Sequence, residues 1–133
     1  MTDVRLEGIT VLADDVAALT AFFRDALGLR PAIVENDYAA FEGEGVRFAV
    51  FSRPGMGPNT HDHPDYRMPR SGQAFELNFE CADAPAVDQL LAKIRRLGGL
   101  VVAAPVQTTW GHYSAFFADP EGNIHSLFAV LRD

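Results

Sequence analysis

The sequence predicts an α+β protein built from two similar halves, and three observations support this fold class. Residues 8–15 align with residues 76–83 at an offset of 68, and both segments alternate between apolar and polar positions before they end in an aspartate. A helical pattern follows each segment, and strand-like runs separated by turn residues follow each helix. Each half is therefore predicted as a β-α-β-β unit with room for a further strand.

Each repeated segment leads into a predicted amphipathic helix. Asp15 and Asp83 stand where a helix N-cap belongs, because a carboxylate there accepts from the free amides of the first turn. Gly28 and the pair at 98–99 supply the helix ends, since glycine accepts the left-handed conformation that closes a helix. The apolar residues between these signals recur at helical spacing: Val16, Leu19, Phe22, Phe23 and Ala26 in the first helix, and Val87, Leu90, Leu91, Ile94 and Leu97 in the second.

The remaining strands are predicted from β-rich runs bounded by turn residues, at 38–42, 46–52, 100–108, 112–118 and 124–131. Between the halves, segment 53–72 is so rich in proline and glycine that we expect no regular structure there. A loop of this length is typical of a lid or binding loop, and a flexible linker is the alternative. We expect one domain over 1–133, with the first module at about 4–53 and the second at about 73–131.

Composition excludes several classes of partner. The chain has 18 acidic and 11 basic residues, a net charge of −7, and no basic stripe that would follow a phosphate backbone, so we expect no nucleic-acid partner. We also expect no membrane partner and a cytoplasmic location, because no apolar run is long enough to span a bilayer and the first residues do not resemble a secretion signal. The single cysteine, Cys81, excludes an internal disulfide and is expected in the core.

Three motifs resemble the vicinal oxygen chelate superfamily, which includes glyoxalase I, bleomycin-resistance proteins and extradiol dioxygenases. They are Gly-Ile-Thr-Val-Leu-Ala-Asp-Asp-Val at 8–16, Ala-Phe-Phe-Arg-Asp-Ala-Leu-Gly-Leu at 21–29, and Asp-Pro-Glu-Gly-Asn-Ile at 119–124. The resemblance implies two βαβββ modules that form a cup-shaped mixed sheet, in a homodimer. The cup would hold a small-molecule ligand.

The resemblance also implies where a metal would bind, because metalloenzymes of this superfamily hold a divalent ion with side chains from matching strands. Carried over, these positions fall on Gly8, on Ala49 or Val50, on Glu76 and on Ser126. Only Glu76 is a strong ligand, and a divalent ion needs several oxygen or nitrogen donors. We therefore expect no metal and no cofactor.

Strand alternation selects candidate ligand-binding residues. The polar groups expected on the concave face are Thr10, Glu76, Asn78 and Ser126, with Trp110, Tyr113 and Phe128 as aromatic walls. Other aromatic candidates are Phe48 or Phe51 and Phe116 or Phe117. The alternation of side chains along a strand directs His125 toward the helices. His112 is a candidate proton shuttle, and the histidines at 61 and 63 are expected in a solvated loop.

These residues leave two functional hypotheses. The first is a metal-free binding protein of the bleomycin-resistance type, which sequesters a bulky aromatic or cationic compound in a cup at a dimer interface. The alternative is a glyoxalase- or dioxygenase-like enzyme that uses non-standard metal ligands or takes Glu76 as its general base. For Glu76 itself, a cationic ligand, open solvation and an ion pair with Arg47 remain alternatives.

Overall fold

The computed structural model describes residues 5–68, 72–73 and 75–132. Some residues of the predicted regions lie outside the described residues. They are residue 4 at the start of the first module, residues 69–71 of the connecting loop and residue 74 of the second module. The chain divides into two compact units, which are described separately: unit 1 comprises 1–24 and 28–70, and unit 2 comprises 25–27 and 71–133. Among the described helices, none is long and apolar enough to cross a membrane.

Unit 1 contains a four-stranded mixed sheet with strand order β1-β4-β3-β2. The elements in chain order are β1 (Gly8–Ala13), helix α1 (Val16–Leu27), β2 (Pro31–Val34), β3 (Tyr38–Phe41) and β4 (Arg47–Ser52). β1 pairs parallel with β4, and β3 pairs antiparallel with both β2 and β4. The predicted further strand is therefore present as β2.

The core of unit 1 forms where the apolar stripe of α1 meets one face of the sheet. Phe23 is fully buried, and its ring packs edge-on against Phe41 at 6.1 Å and Phe48 at 5.2 Å between centroids. Phe41 and Phe48 are cross-strand partners whose rings stack at 5.4 Å. Because side chains alternate along a strand, Arg47 and Phe51 of β4 point to the face of the sheet opposite Phe48. Thr10 of β1, which pairs with β4, points to that same face.

Unit 2 repeats the arrangement, with strand order β5-β8-β7-β6. Its elements are β5 (Asn78–Glu80), helix α3 (Ala84–Arg96), β6 (Leu100–Gln107), β7 (His112–Ala118) and β8 (Ile124–Val130). β5 pairs parallel with β8, as β1 does with β4. Its core consists of fully buried side chains from the helix and two strands, among them Val87, Ile94, Phe117 and Leu127.

The predicted helix signals are confirmed. The carboxylates of Asp15 and Asp83 each accept a hydrogen bond of 2.9 Å, from the amides of Ala18 and Ala86, and so cap the two main helices. Gly28 follows α1 with φ of +74°, a left-handed conformation that closes the helix through amide bonds to the last turn.

Two predictions about secondary structure are wrong. Segment 53–72 is not without regular structure, because it contains two 3₁₀ helices, Pro54–Met56 and Pro64–Tyr66, and a one-turn helix α2, Gly57–Thr60. Each begins with a proline in its first two positions, where the missing N–H would be unpaired in any case. Glu76 also precedes its strand, since β5 begins at Asn78.

Candidate functional site

Unit 1 has an open cavity of about 890 Å³ on the sheet face opposite α1. Ligand pockets commonly have volumes of about 300–1,000 Å³, so the space suits an organic molecule of several rings. Thr10 and Leu12 of β1 contribute to its floor, and the segment after β4 supplies Met56, Asn59 and Tyr66. The connecting segment is therefore one wall of a cavity, in agreement with the binding-loop interpretation.

Aromatic rings line this cavity from three separate elements. Tyr38 at the start of β3 lies directly across the ladder from Phe51 of β4, and their rings meet edge-to-face at 5.9 Å. Tyr66 adds a third ring from the connecting segment. Of the two candidates Phe48 and Phe51, the structure places Phe51 in the cavity and Phe48 in the core, as parity requires.

Two carboxylates come from the turn between β2 and β3. Glu35 and Asp37 both line the cavity, and both residues are exposed. Backbone hydrogen bonds hold the turn, because the Glu35 amide donates to the Tyr38 carbonyl at 2.7 Å and the Ser52 amide donates to the Asp37 carbonyl at 3.0 Å. The turn thus holds two negative groups beside the aromatic rings.

Arg47 is the one cation among the residues that line this cavity. Its Nε and Nη2 donate to the two carboxylate oxygens of Glu7 at 2.9 and 3.2 Å, and its Nη1 donates to the hydroxyl of Tyr38 at 2.9 Å. The hydrogen bond from Arg47 holds the pKa of the Glu7 carboxyl below its usual range. The charge of Arg47 is therefore balanced by Glu7, which does not support the alternative of an ion pair between Arg47 and Glu76.

Several predicted site residues lie together in unit 2. Asn78 and Ser126 are partners in the β5–β8 ladder, and the Ser126 hydroxyl donates to the Asn78 side-chain oxygen. Phe128 lies two residues further along β8 and stacks on His112 with 4.8 Å between the ring centroids. Trp110, which is 70% exposed, donates from Nε1 to His112 Nδ1 at 3.2 Å. Among the candidate residues, only Thr10 and Phe51 line the unit 1 cavity.

The placement predicted for Tyr113 is wrong. β7 begins at His112, so Ser114 and Phe116 share the face of Phe128 and Ser126, whereas Tyr113 points to the opposite face. There its hydroxyl donates to Asp88 of α3 at 2.8 Å, a hydrogen bond that raises the pKa of the Tyr113 phenol. Tyr113 is thus tied to the helix rather than grouped with the other candidates.

Glu76 lies on the exposed stretch before β5. An exposed carboxylate keeps its hydration, so this position does not favour a general base prepared by burial. Its role in binding or catalysis stays a prediction. His125 is 2% exposed and lies in the core, as predicted, where its Nε2 is 2.8 Å from the buried carboxylate of Asp119.

The positions that would hold a divalent ion do not fit one. Gly8 has no side chain, Ala49 and Val50 are fully buried aliphatic residues, and the Ser126 hydroxyl is bonded to Asn78. Within the described parts of the chain, no group of three or more histidine, cysteine, aspartate or glutamate side chains is placed to bind a metal ion. The donor chemistry at these positions therefore supplies too few ligands for the ion that the resemblance implies.

Sequence reasoning did not select most of the residues that line the cavity. It missed Tyr38 and Tyr66, the two acids of the β2–β3 turn, and Met56 and Asn59 of the connecting segment. The pairing of Tyr38 with Phe51 was the available signal, because a hairpin closed around 43–45 brings these residues opposite each other. No comparable pattern marks Met56, Asn59 or Tyr66.

This chain is similar to two proteins of solved structure and to one curated protein matched by sequence. A glyoxalase/bleomycin resistance protein/dioxygenase family enzyme from Burkholderia phytofirmans superimposes with a TM-score of 0.86 at 22% identity, covering 96% of this chain and all of that one. A glyoxalase-related enzyme from Fulvimarina pelagi gives 0.83 at 16% identity, covering 94% and 87% of the two chains. An uncharacterised Bacillus subtilis protein, YraH, is 24% identical over 131 residues, 96% of this chain and all of YraH.

The solved structures share the fold, while the match to the family rests on the sequence itself. Residues 5–126 match the description of the Glyoxalase/Bleomycin resistance protein/Dioxygenase superfamily. That match includes both repeated segments, 8–15 and 76–83, and the three motifs at 8–16, 21–29 and 119–124. The chain belongs to the glyoxalase/bleomycin resistance protein/dioxygenase superfamily.

Proposed function

We propose that this protein binds a bulky aromatic cation in the unit 1 cavity and does so without a metal ion. The observation that carries the proposal is the combination of three aromatic rings with two exposed carboxylates around one cavity. Sequestration of such a compound, as the name of the bleomycin-resistance proteins suggests for part of the superfamily, is the biological role that we infer.

The aromatic rings favour a planar ligand. Tyr38, Phe51 and Tyr66 offer ring faces and edges against which a fused ring system stacks, and each such contact contributes about 0.5–1.5 kcal/mol beyond area burial. A positive charge on the ligand adds a cation–π attraction of about 0.5–1 kcal/mol where the site is exposed. Apolar contact from Leu12 and Met56 completes the lining.

The charges favour a cation over an anion. Glu35 and Asp37 line the cavity, and no cationic partner for either carboxylate is found among the described residues. Arg47, by contrast, is already paired with Glu7 through two hydrogen bonds. The uncompensated charge at the cavity is therefore negative, in the same sense as the net charge of the chain, −7.

Binding of 10-methylacridinium, a fluorescent planar cation, tests the proposal. We expect saturable binding by the wild-type protein, and a five- to thirtyfold weaker affinity when Glu35→Gln and Asp37→Asn are combined, since each exposed carboxylate contributes about 0.5–1 kcal/mol. The matched control is Glu42→Gln with Glu44→Gln, which has the same residue spacing and the same charge change outside the cavity lining. Equal loss in both variants, or no saturation, contradicts the proposal.

We also propose that the protein is a homodimer, as the family resemblance implies. β2 and β6 end their sheets and carry exposed aliphatic side chains, including Val34 at 69% and Leu100 at 66%. Exposed apolar side chains on an edge strand favour association with another protein surface that buries them. Sedimentation equilibrium is expected to give a mass of twice 14.5 kDa, and a monomer at micromolar concentration contradicts this proposal.

A further inference from the structure

Gly8 provides the space that the Arg47 guanidinium fills. The two residues are partners in the β1–β4 ladder. A Cβ built at Gly8 would lie 2.9 Å from Arg47 Nη2 and 3.2 Å from Cζ, both closer than ordinary van der Waals contact. At a position where metalloenzymes of the superfamily carry a metal ligand, this chain thus has no side chain, and a cationic side chain occupies the freed space.

Two of the donors of Arg47 remain available for a ligand. A guanidinium has five N–H groups, and three of them are used in the bonds to Glu7 and Tyr38. The fork on Glu7 uses the edge formed by Nε and Nη2, so each of the two Nη atoms keeps one N–H. Among the described residues, none accepts from these two groups, and Arg47 belongs to the cavity lining.

Glu7 and Tyr38 fix the orientation of this donor pair. The bidentate bond to Glu7 sets the plane of the guanidinium, and a third bond ties Nη1 to Tyr38 at 2.9 Å. Because Tyr38 accepts from Arg47, its own O–H proton is directed elsewhere. Arg47 and Tyr38 can therefore both donate to one oxygen atom of a bound molecule.

We propose that Arg47 determines specificity, by donating hydrogen bonds to a carbonyl or carboxylate oxygen of the ligand. This inference rests on the proposed function and defines the ligand class more closely: an aromatic cation that also carries an acceptor oxygen. The positive charge lies toward Glu35 and Asp37, and the oxygen lies toward Arg47 and Tyr38. Glu7 acts as a positioning residue, and Gly8 is required because any side chain there displaces the guanidinium.

The test compares two probes that differ in one acceptor group, 10-methylacridinium and its 9-carboxamide. We expect the wild-type protein to bind the carboxamide about tenfold more tightly, because a charged hydrogen bond is the stronger kind. Arg47→Lys and Gly8→Ala are each expected to reduce the ratio of the two affinities from about ten to about one. Gly8→Ala keeps Arg47 but places a methyl group in the space that its guanidinium occupies. Arg30→Lys, an exposed arginine outside the cavity lining, is the control.

The outcomes separate this inference from the proposed function. Saturable binding of both probes with equal affinity overturns the role of Arg47 and leaves the aromatic-cation proposal intact. A preference that survives in both Arg47→Lys and Gly8→Ala overturns it as well. Failure of the wild-type protein to bind either probe contradicts the proposed function, and the inference falls with it. Melting temperatures of the two variants within a few degrees of wild type establish that they are folded.

Discussion

Replacement of Asp119 with alanine is expected to lower the free energy of unfolding by about 3 kcal/mol. The carboxylate is buried in the turn between β7 and β8 and accepts from the amides of Glu121 at 2.9 Å and Asn123 at 3.1 Å. It also meets His125 Nε2 at 2.8 Å. A buried donor that loses its acceptor costs about 1–3 kcal/mol, and each half-buried bond about 0.5–1.5 kcal/mol. The sum is a large fraction of the about 5–15 kcal/mol typical of a domain.

The asparagine variant is the more discriminating change because it keeps the size of the side chain. His125 Nδ1 accepts from the Leu77 amide at 3.3 Å, so the proton of neutral His125 lies on Nε2 and points at Asp119. In Asp119→Asn, the side-chain oxygen must take the position that accepts from the turn amides. The new NH₂ group then faces the Nε2 proton of His125. Moving the proton to Nδ1 would instead oppose the Leu77 amide, so neither tautomer satisfies both contacts.

Urea unfolding and thermal unfolding, both followed by circular dichroism, measure these effects. We expect Asp119→Asn to cost about 1–3 kcal/mol, and Asp119→Ala to lower the melting temperature by about 12 °C, taking about 4 °C per kcal/mol at this length. Glu44→Ala, an exposed hairpin acid, serves as the control and is expected to change stability by less than about 0.5 kcal/mol. An Asp119→Asn protein as stable as wild type would refute the tautomer argument, and an equally stable Asp119→Ala protein would refute the whole network.

Three further predictions concern single residues. The pKa of Glu7 is lower in the folded protein than its ordinary value of 4.5, so its stabilising contribution is present above that pH and is lost as the pH falls through the folded pKa. Urea titrations should therefore show the stability gap between wild type and Glu7→Gln closing as the pH falls below 4.5, and a constant gap would contradict the ion pair. Burial raises the pKa of the Cys81 thiol, so iodoacetamide should alkylate it more slowly at pH 8 in the native protein than in urea; equal rates would exclude this cause. A Cβ at Gly55 would lie 2.5 Å from Phe51 Cζ, so Gly55→Ala should displace that ring and weaken acridinium binding, whereas unchanged affinity would remove Phe51 from the site.

Local sequence signals predicted the elements whose causes are local. The caps at Asp15 and Asp83 lie next to the helices that they stabilise, and the apolar spacing of α1 is fixed within a few turns. The sequence pattern does not predict the short helices after β4, because proline and glycine indicate breaks in regular structure, although Pro54 stands at the start of a helix, where proline is tolerated. Local patterning therefore predicted the architecture but not the structure of the connecting segment.

The cavity was harder to predict because it depends on strand register. Gly8 and Arg47 are 39 positions apart in the sequence and meet only when β1 pairs parallel with β4 in the observed register. The placement of Tyr113 depends on register in the same way: strand 112–118 is predicted with its observed start, but only the pairing of β7 with β8 shows which of its two faces joins Ser126 and Phe128. The alternation of side chains along a strand predicted the faces of Thr10 and His125 correctly, but it could not by itself tell which face of β7 joins the other candidate residues.

Methionine methyl resonances offer the most direct test of ligand binding in the unit 1 cavity. Met56 lines that cavity, whereas Met68 is 72% exposed and does not line it. With ¹³C-methyl methionine labelling and assignment by Met56→Leu, we expect 10-methylacridinium to shift the Met56 resonance by its ring current, saturating at the affinity found by fluorescence. The Met68 resonance is expected to stay unchanged. A Met56 resonance that does not move at saturating probe, or an equal shift of both methyl groups, would contradict binding in this cavity.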